Sequence, residues 1–412
     1  MPWPMLNVNT IRREFLTKVL LKAASLSALC REYGISRKTG YKWRGRALAE
    51  GLGGLAEHSR RPKRSPRQLE EATVCTLIRL KLRHPHWGPK KICQLYARQG
   101  GSVPSLSSCQ RVLGRAGLVV ARRRRRNVEA QRLSLGAVAS EPNAVWTVDF
   151  KGWWRLGDGR RCEPLTVRDA FSRYVLAVRT LPRADTASVR AEFERLFETY
   201  GLPRVIKSDN GSPFASRLAP CGLSRLAAWW VALGIDLDRS RPAHPQDNGG
   251  HERLHRDIAV ELAGHVQADA TAQQSAFDLW REQFNWERPH EALGGRCPSQ
   301  LYCKSQRRMP SGPMAIEYGP GFFPRKIATT GALKWERQPI LVSSALAGWH
   351  VGLRYRDGDH LEVWFGYLLL GQIEISSARF LRGASPPQTL LQHTSQSTSN
   401  DHQTVTPLSP MS

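Results

Sequence analysis

Three acidic side chains occupy positions from which a folded sheet would present them together. Asp149 ends one run of β-forming residues, Asp209 ends another and precedes a turn sequence, and Glu252 follows a glycine-rich loop. Because carboxylate oxygens are hard ligands, this set suits Mg²⁺ or Mn²⁺ rather than zinc. Two such ions roughly 3.5–4 Å apart can activate an attacking oxygen and stabilise a leaving oxygen, so the pattern favours phosphoryl transfer.

Each acid also has an ordinary structural interpretation. The sequence Asp209-Asn210-Gly211 is typical of a tight turn. Glu252 opens a helical segment, where the helix dipole favours an acidic side chain. Asp169 is the main competing metal ligand, and we interpret it as a turn residue that caps the second strand.

The segments around these acids predict an α/β unit. Short β-branched and aromatic runs are interrupted by one helical segment, which indicates a mixed sheet. Open α/β sheets bind ligands at the carboxyl ends of their strands, where the acids would lie. The predicted strands are 145–150, 162–167, 174–179 and 204–209, and the predicted helices are 186–200, 224–233, 251–262 and 271–285.

The charge of the chain is concentrated in its first third. The 412 residues carry a formal net charge of +26, and residues 1–140 hold 29 basic and seven acidic side chains. No aspartate precedes Asp149. So large a positive charge repels itself unless a polyanion accompanies it, which points to nucleic acid as the partner.

The N-terminal segment predicts a helix-turn-helix. Apolar residues at helical spacing mark two helices within 11–33, Gly34 stops the second, and Ser36 caps a third. The third helix would enter the major groove of DNA, although a helical bundle with a solvated cationic face is the alternative. Its candidate contacts to bases or phosphates are Arg37, Lys38, Lys42 and Arg44.

A second helical trio and two basic linkers follow. The helices are predicted at 69–83, 90–98 and 105–116, with Pro89 at a first helical position. The linker 58–67 could track phosphates. Consecutive arginines are normally a solvated tract, but between two folded units they are expected to lie on DNA. These arginines are Arg122, Arg123, Arg124, Arg125 and Arg126.

Other features exclude several classes of protein. No apolar run reaches the 18 or so residues that a membrane span needs, and the start lacks the apolar core of a signal peptide, so we expect a cytoplasmic protein without a membrane partner. The eight cysteines form no Cys-x-x-Cys pair and indicate reduced thiols, mostly in the core. The zinc alternative, with His84, His86, Cys93 and Cys109, fits no compact module.

The aromatic residues and the C-terminal part complete the predicted architecture. Trp153, Trp154, Trp229 and Trp230 could stack on frayed bases, but we expect them to pack in the core. Strand alternation returns near 338–342, 349–355, 359–365 and 367–375, which is enough for a small β-barrel. The tail from Gly383 is rich in Ser, Thr, Gln and Pro and is expected to be disordered.

Several motifs together resemble the catalytic core of bacterial insertion-sequence transposases, which belong with retroviral integrases. They are WTVDF at 146–150, DAFSRY at 169–174, SDNG at 208–211, RPAHPQDNGGHER at 241–253, FNWERPHEAL at 284–293 and PSQLY at 298–302. The resemblance covers about 142–302 and implies a ribonuclease H-like fold. It also implies that Asp149, Asp209 and Glu252 form the metal-binding triad of an Mg²⁺-dependent (or Mn²⁺-dependent) DDE transposase.

The chain departs from the family pattern in two places. Asp209 and Glu252 have 42 residues between them, where thirty-five is common, and we expect the excess within Ser216–Leu226. A basic residue commonly follows the glutamate by two helical turns, but Ala259 stands there. Arg256, one turn after Glu252, is the substitute candidate for a DNA-phosphate contact.

The resulting expectation is a multidomain protein with all-α helix-turn-helix units, an α/β core and a small β-barrel. It would bind element ends and target DNA as double strands, cleave phosphodiester bonds and join 3′-hydroxyl ends, as a homo-oligomer on paired ends in the bacterial nucleoid. A catalytically silent DNA-binding regulator and a ribonuclease H-type nuclease are the alternatives. The predicted parts are a helix-turn-helix domain (1–57), a basic linker (58–67), a second such domain (68–120), an Arg-rich linker (121–141), the core (142–305), the barrel (313–380) and the tail (383–412).

Overall fold

A computed structural model of the chain describes residues 8–57, 68–100, 102–119, 136–241, 249–262, 264–312 and 314–383. These residues form two compact units, one ending at Leu69 and the other beginning at Glu70. The basic linker 58–67, the run of five arginines and the tail from residue 384 lie outside the described residues. Within the described part of the chain, no helix combines the length and apolar character needed to cross a membrane.

The first unit consists mainly of three helices, α1 (Val8–Leu20), α2 (Leu26–Glu32) and α3 (Arg37–Glu50). Ser36 caps α3 as predicted, because its hydroxyl accepts a hydrogen bond from the backbone N–H of Thr39 at 3.1 Å. Gly34 turns the chain before this cap at a φ of +61°. Buried apolar residues from all three helices form the core of the unit: Phe15, Leu16, Leu29, Cys30, Trp43 and Leu55.

The second unit begins with the helices α4 (Glu71–Arg83), α5 (Pro89–Arg98) and α6 (Leu106–Arg115). Pro89 occupies the first turn of α5 as predicted, and Ser105 caps α6. Cys93 and Cys109 are buried in the core of this trio, where their thiols donate to backbone carbonyls. The two cysteines of the zinc alternative are therefore core residues. Their burial raises the pKa of both thiols.

A five-stranded mixed sheet forms the centre of the second unit. Its order is β5-β4-β1-β6-β7, with β1 antiparallel to β4 and parallel to β6. The strands are β1 (Val145–Phe150), β4 (Leu165–Asp169), β5 (Val175–Arg179), β6 (Val205–Ser208) and β7 (Asp236–Arg239), and a short hairpin of β2 (Trp154–Arg155) and β3 (Arg161–Cys162) follows β1. The mixed sheet was predicted, but β7 was not, since its sequence has little β propensity.

Four helices accompany the sheet: α7 (Thr186–Tyr200), α8 (Arg225–Ala232), α9 (Gly249–Glu261) and α10 (Ala270–Glu282). Helix α8 is apolar after its first residue, Arg225, and it packs against apolar surfaces on two sides. Trp229 and Trp230 pack in the core of the sheet, and Ala228 and Val231 pack against the C-terminal strands. The mixed sheet and the C-terminal strands therefore meet through α8.

The C-terminal part consists of antiparallel strands around one hydrophobic core. They lie in two sheets, with the orders β14-β13-β12-β11-β8 and β10-β9. Four strands match the predicted segments: β10 (Gln338–Leu341), β11 (His350–Tyr355), β12 (His360–Phe365) and β13 (Leu368–Glu374). Three short strands were not predicted: β8 (Phe323–Lys326), β9 (Ala332–Trp335) and β14 (Arg379–Arg382).

The predictions for cysteine and tryptophan are largely confirmed. Five of the eight cysteines are buried and all eight are free thiols. Trp154, Trp229 and Trp230 pack in or against hydrophobic cores. The core prediction is wrong for Trp153, which is 52% exposed and lies near the guanidinium of Arg161, 4.9 Å from its ring centre.

Candidate active site

Asp149 and Asp209 lie at the same level of two adjacent parallel strands. The backbone register pairs Thr147 of β1 with Lys207 of β6, and continuing it by two residues brings Asp149 beside Asp209. Neighbouring strands are about 4.8 Å apart, so the two carboxylates leave the same edge of the sheet. The carboxylate of Asp209 accepts a hydrogen bond from the backbone N–H of Gly211 at 3.1 Å, which fixes the turn after the strand.

Glu252 comes from the first turn of α9, which packs against β1. Leu254 and Ile258 are buried in a hydrophobic cluster and anchor the helix. Glu252 itself is exposed, as expected for a side chain on the opposite side of the helix from these anchors. The amphipathic pattern of α9 therefore holds Glu252 beside the sheet edge and leaves its carboxylate accessible to a ligand.

The three acids interact electrostatically. The pKa of Asp149 is raised to about 7, first by burial and then by the negative charges of Asp209 and, more weakly, Glu252. Asp149 is the least exposed of the three, with 28% of its side-chain surface accessible. An ionised cluster of this kind is unfavourable without a counter-charge, and a divalent cation bound by hard oxygen ligands supplies one. The donor set therefore fits Mg²⁺ or Mn²⁺.

The spacing of the acids is open rather than tight. Among the described residues, one group of three has candidate ligand atoms that all lie within 4.8 Å of one another, namely Asp359, His360 and Glu374 in the C-terminal part. Asp149, Asp209 and Glu252 are more widely spaced than this group.

A hydrogen-bonded network joins α9 to the strands beneath it. The hydroxyl of Thr166 donates to the carbonyl of Asp149 at 2.8 Å. Because a hydroxyl has one proton, the Nε2–H groups of His251 and His255 must donate to Thr166 Oγ1, at 2.6 and 2.8 Å. Burial lowers the pKa of both imidazoles, which keeps them neutral. Two neutral histidines therefore fix the helix of Glu252 to the backbone of Asp149.

The second nitrogen of each imidazole is then an acceptor. His251 Nδ1 lies 2.8 Å from the hydroxyl of Thr147, which donates to it. Thr147 in turn accepts a hydrogen bond from Arg168 Nε at 3.3 Å. His255 Nδ1 lies 3.9 Å from the carboxylate of Asp149. The chain of contacts thus runs from Arg168 to the candidate metal ligand.

Gly250 must lack a side chain. A Cβ at this position would lie 2.1 Å from Nη2 of Arg168, and the guanidinium of Arg168 is deeply buried. The glycine before His251 therefore allows α9 to approach β4 closely. This contact gives a physical reason for the second glycine of the sequence Gly249-Gly250-His251-Glu252.

The segment 284–293 clamps the far side of α9. Arg288 is 4% exposed and pairs with Asp257 at 2.9 Å and with Glu261 at 3.0 Å. Asn285 exchanges hydrogen bonds with the backbone N–H and carbonyl of Val175, at 2.8 and 2.9 Å, and so occupies the free edge of β5. This segment therefore supports the helix that carries Glu252, and its side chains are not among the candidate metal ligands.

Asp169 is the last residue of β4 rather than a turn residue, but its carboxylate holds the turn that follows, so the predicted capping role is confirmed. One carboxylate oxygen accepts from the backbone N–H of Asn143 at 2.8 Å, and the other accepts from the N–H and hydroxyl of Ser172 at 2.7 and 2.5 Å. Asp169 is paired across the strands with Trp146, three residues before Asp149. It therefore lies away from the other three acids.

The remaining predicted site residues are either exposed or lie outside the residues that the structure describes. Arg256 is exposed on α9, one turn after Glu252. Arg37, Lys38, Lys42 and Arg44 are all exposed on α3, and none forms an ion pair with another described residue. The five arginines from Arg122 to Arg126 lie outside the described residues.

The histidine network was missed by sequence reasoning. His251 and His255 flank Glu252 at one and three residues, on the face of the helix that turns inward, and this spacing was the available signal. Their partners Thr147 and Thr166 are 104 and 85 residues from His251 in sequence, so no local pattern connects them. Arg168 and Arg288 were missed for the same reason.

Comparison with known families gives four matches. Two models described as "Integrase core domain" match residues 139–245 and 233–298. A model described as "Helix-turn-helix domain" matches residues 12–63, and one described as "Homeodomain-like domain" matches residues 39–113. The core models together span the strands and the helix that carry the three acids.

Curated relatives include proteins of bacterial insertion elements. An uncharacterized 31.7 kDa protein of insertion element IS407 from Burkholderia multivorans is 27% identical over 256 residues, which cover 61% of this chain and 88% of that protein. An uncharacterized 39.2 kDa protein of insertion element IS476 from Xanthomonas euvesicatoria is 25% identical, with 66% and 76% covered. The Gag-Pol polyprotein of koala retrovirus is 29% identical over 49% of this chain, which is 11% of that polyprotein.

Solved structures similar to this chain include retroviral integrase cores. The catalytic core domain of BIV integrase aligns with a TM-score of 0.31 and 24% identity, over 39% of this chain and 93% of that core. The HTLV-2 integrase catalytic core domain in complex with magnesium aligns with a TM-score of 0.29 and 16% identity, over 40% and 98%. These matches show an integrase core domain in residues 139–298, preceded by helix-turn-helix domains, in a chain that is similar to proteins of bacterial insertion elements.

Proposed function

We propose that this chain is an Mg²⁺-dependent DNA transposase whose catalytic residues are Asp149, Asp209 and Glu252. The observation that carries the proposal is the electrostatic coupling of Asp149 to the other two acids at one sheet edge. Family membership supports DNA integration or transposition as the general class of reaction. The specific reaction and the roles of individual residues are our inference from the site.

The chemistry we propose has two displacements at phosphorus. In the first, a water oxygen bonds to the phosphorus at the element end and the 3′ oxygen leaves, which yields a free 3′-hydroxyl. In the second, that hydroxyl attacks a target phosphodiester, a new P–O bond forms, and the 3′ oxygen of the target strand leaves. Mg²⁺ held by the three carboxylates would activate the attacking oxygen and stabilise the leaving oxygen.

The protein's own contribution is positioning. Phosphoryl transfer places little covalent chemistry on the enzyme, so the placement of groups decides the rate. The imidazoles of His251 and His255 hold α9 to β4, and Arg288 holds it from the other side. Glu252 is thereby kept at a fixed distance from Asp149 and Asp209.

DNA binding in this proposal is divided between two kinds of contact. The exposed side chains of α3 (Arg37, Lys38, Lys42 and Arg44) would read the element ends. The five arginines from Arg122 to Arg126 and the exposed Arg256 would add affinity that depends on salt and is independent of sequence. Two ends must be paired before joining, so we infer a homo-oligomer that acts on bacterial nucleoid DNA.

The test is a strand-transfer assay with the full chain. The substrate is a duplex that carries the terminal repeat found beside the coding sequence, with a supercoiled plasmid as target. We expect joined products with Mg²⁺ and none with EDTA, while a gel shift detects binding of the duplex in both conditions. Binding without joining in Mg²⁺ would contradict the proposal and favour a DNA-binding regulator. Cleavage of an RNA–DNA hybrid without joining would instead favour a nuclease.

A further inference from the structure

A cationic cavity opens beside Asp209. Its volume is about 640 Å³, and it lies between the turn after β6, the loop 215–222 and the end of β7. Three arginines line it, Arg217, Arg239 and Arg241, together with the single carboxylate of Asp209. The loop overlaps residues 216–226, where we expect the extra residues between Asp209 and Glu252 to lie.

The loop that closes this cavity is folded. The backbone N–H of Ser216 donates to the carbonyl of Gly222 at 3.0 Å, and Ala215 forms a β-bridge with Leu223. Arg239 donates through Nη1 to the carbonyl of Cys221 at 2.9 Å. A Cβ on Gly222 would lie 2.2 Å from that same Nη1, at a φ of +64° that also favours glycine. The loop therefore fits around the guanidinium of Arg239.

The residues that line the cavity are hydrogen-bonded to the end of β6, the strand that Asp209 follows. Ser208, the last residue of β6, is paired in register with Arg239 of β7. The side-chain amide of Asn210 donates to the carbonyl of Ser240 at 2.7 Å, which ties the turn after Asp209 to the end of β7. A group in the cavity is consequently held at a fixed position relative to the candidate catalytic carboxylate.

Two polar atoms of the lining lack hydrogen-bond partners. Nη2 of Arg239 and Oγ of Ser240 are both buried and unpaired in the described residues. Arg239 forms no ion pair with another described residue, and burial lowers the pKa of its guanidinium. A buried donor without a partner is costly, and a buried cation without a counter-ion more so. An anion in the cavity would supply the counter-charge that Arg239 lacks among the described residues.

We propose that this cavity binds a backbone phosphate of DNA, one that neighbours the phosphodiester reacting at Asp209. The inference rests on the proposed function for the identity of the strand, and on the cavity itself for the anion. Arginine suits phosphate because its planar guanidinium can donate two parallel hydrogen bonds. The loop 215–222 thereby gains a role as part of a clamp on the sugar–phosphate backbone.

The test is a coupling measurement between single phosphates and single arginines. Neutral methylphosphonates are placed one at a time along two DNAs, the duplex of the element end and the strand-transfer product that includes target DNA. The affinity for each DNA is measured in the presence of Ca²⁺ for four proteins: the wild-type chain, Arg217→Ala, Arg239→Gln and the control Arg225→Ala. Arg225 is also exposed but does not line the cavity.

We expect one or two adjacent methylphosphonates to weaken wild-type binding by about tenfold, in line with a charge-assisted hydrogen bond. In Arg217→Ala or Arg239→Gln the same replacement should cost less than about twofold, because the contact is already lost. Arg225→Ala should respond like the wild type. The DNA that carries the sensitive phosphate identifies the strand as element end or target.

If each methylphosphonate weakened DNA binding equally in the wild type and in both cavity variants, at every position of both DNAs, the phosphate clamp would be overturned. Arg217→Ala is informative even if Arg239→Gln fails to fold, because Arg217 is exposed. The binding measurement needs no catalysis, so a wild-type chain that joins DNA without any coupling refutes the clamp alone. A chain that shows coupling without joining DNA refutes the transposase proposal alone.

Discussion

Thr166 Oγ1 lies 2.6 Å from Nε2 of His251, and the same hydroxyl donates to the backbone carbonyl of Asp149. A single side chain on β4 therefore connects the strand of one candidate ligand to the helix of another. The hydroxyl is saturated, with one proton donated and two N–H groups accepted. It therefore has no capacity for a fourth partner.

Replacing Thr166 with valine tests this connection. Thr166→Val keeps the shape of the side chain but leaves the N–H groups of His251 and His255 unpaired, which should cost about 1–3 kcal/mol of stability. We expect strand transfer to fall further than the folded fraction, because α9 loses its register on the sheet. Thr199→Val, at a half-exposed helical site, is the control and should change neither quantity appreciably. Unaltered strand transfer in Thr166→Val would show that the hydroxyl does not position the site.

The clamp of Arg288 on α9 should be visible as stability. Arg288→Met leaves Asp257 and Glu261 without their buried partner, and breaking such a pair costs about 3–5 kcal/mol. The matched control is Arg190→Met, which removes an exposed pair with Glu194 on α7 and should cost about 0.5 kcal/mol or less. Denaturant unfolding of both variants measures the difference. Similar losses of unfolding free energy in the two variants would mean that the ion pairs of Arg288 contribute no more to stability than a surface ion pair.

The buried His290 predicts a loss of stability in acid. Burial is the main cause that lowers its pKa to about 2, and the charges of Arg288, Lys91, Arg173 and Arg168 lower it further. The unfolded chain takes up the proton near pH 6.5 and the folded chain does not, so the free energy of unfolding falls as the pH drops below 6.5.

Between pH 7 and pH 5 this histidine alone should cost about 2 kcal/mol. His290→Phe keeps a ring against Phe284, whose centre is 4.7 Å away, and does not titrate. We expect the variant to lose about 2 kcal/mol less than the wild type over this range in urea unfolding. Parallel losses in the two proteins would assign the acid sensitivity to other groups.

Local sequence patterns predicted most of the elements that carry the site. Strand β1, which carries Asp149, and strand β6, which ends one residue before Asp209, were placed correctly because runs of β-branched residues are bounded by turn signals. Strand β7 was missed because Asp236–Arg239 alternates acidic and apolar residues without a β-branched one. Its pairing with β6 is a tertiary effect, since backbone hydrogen bonds to a buried strand outweigh weak propensity.

The candidate ligands could be predicted, but their support could not. Aspartate at the end of a strand and glutamate at the start of a helix are local signals. The partners of His251, the contact of Arg168 with Gly250 and the pairing of Arg288 with Asp257 all join residues distant in the chain. Such contacts depend on the fold as a whole, and a single sequence does not reveal which distant residues meet.

The claim that Asp149, Asp209 and Glu252 act as one metal-dependent unit is tested most directly by their amide variants. Strand transfer and duplex binding are measured together for Asp149→Asn, Asp209→Asn, Glu252→Gln and the double variant of both aspartates, with Asp278→Asn, at a half-exposed site on α10, as control. Loss of a metal ligand removes several kcal/mol of transition-state stabilisation, so each single variant should join DNA at least ~100-fold more slowly and still bind it.

The effects of substitutions within one catalytic unit are not additive. The double variant should therefore join DNA about as fast as the slower of the two single aspartate variants. Asp278→Asn should join DNA at the wild-type rate. Strand transfer at the wild-type rate in any one of the three single variants, with Mg²⁺ present, would contradict the account.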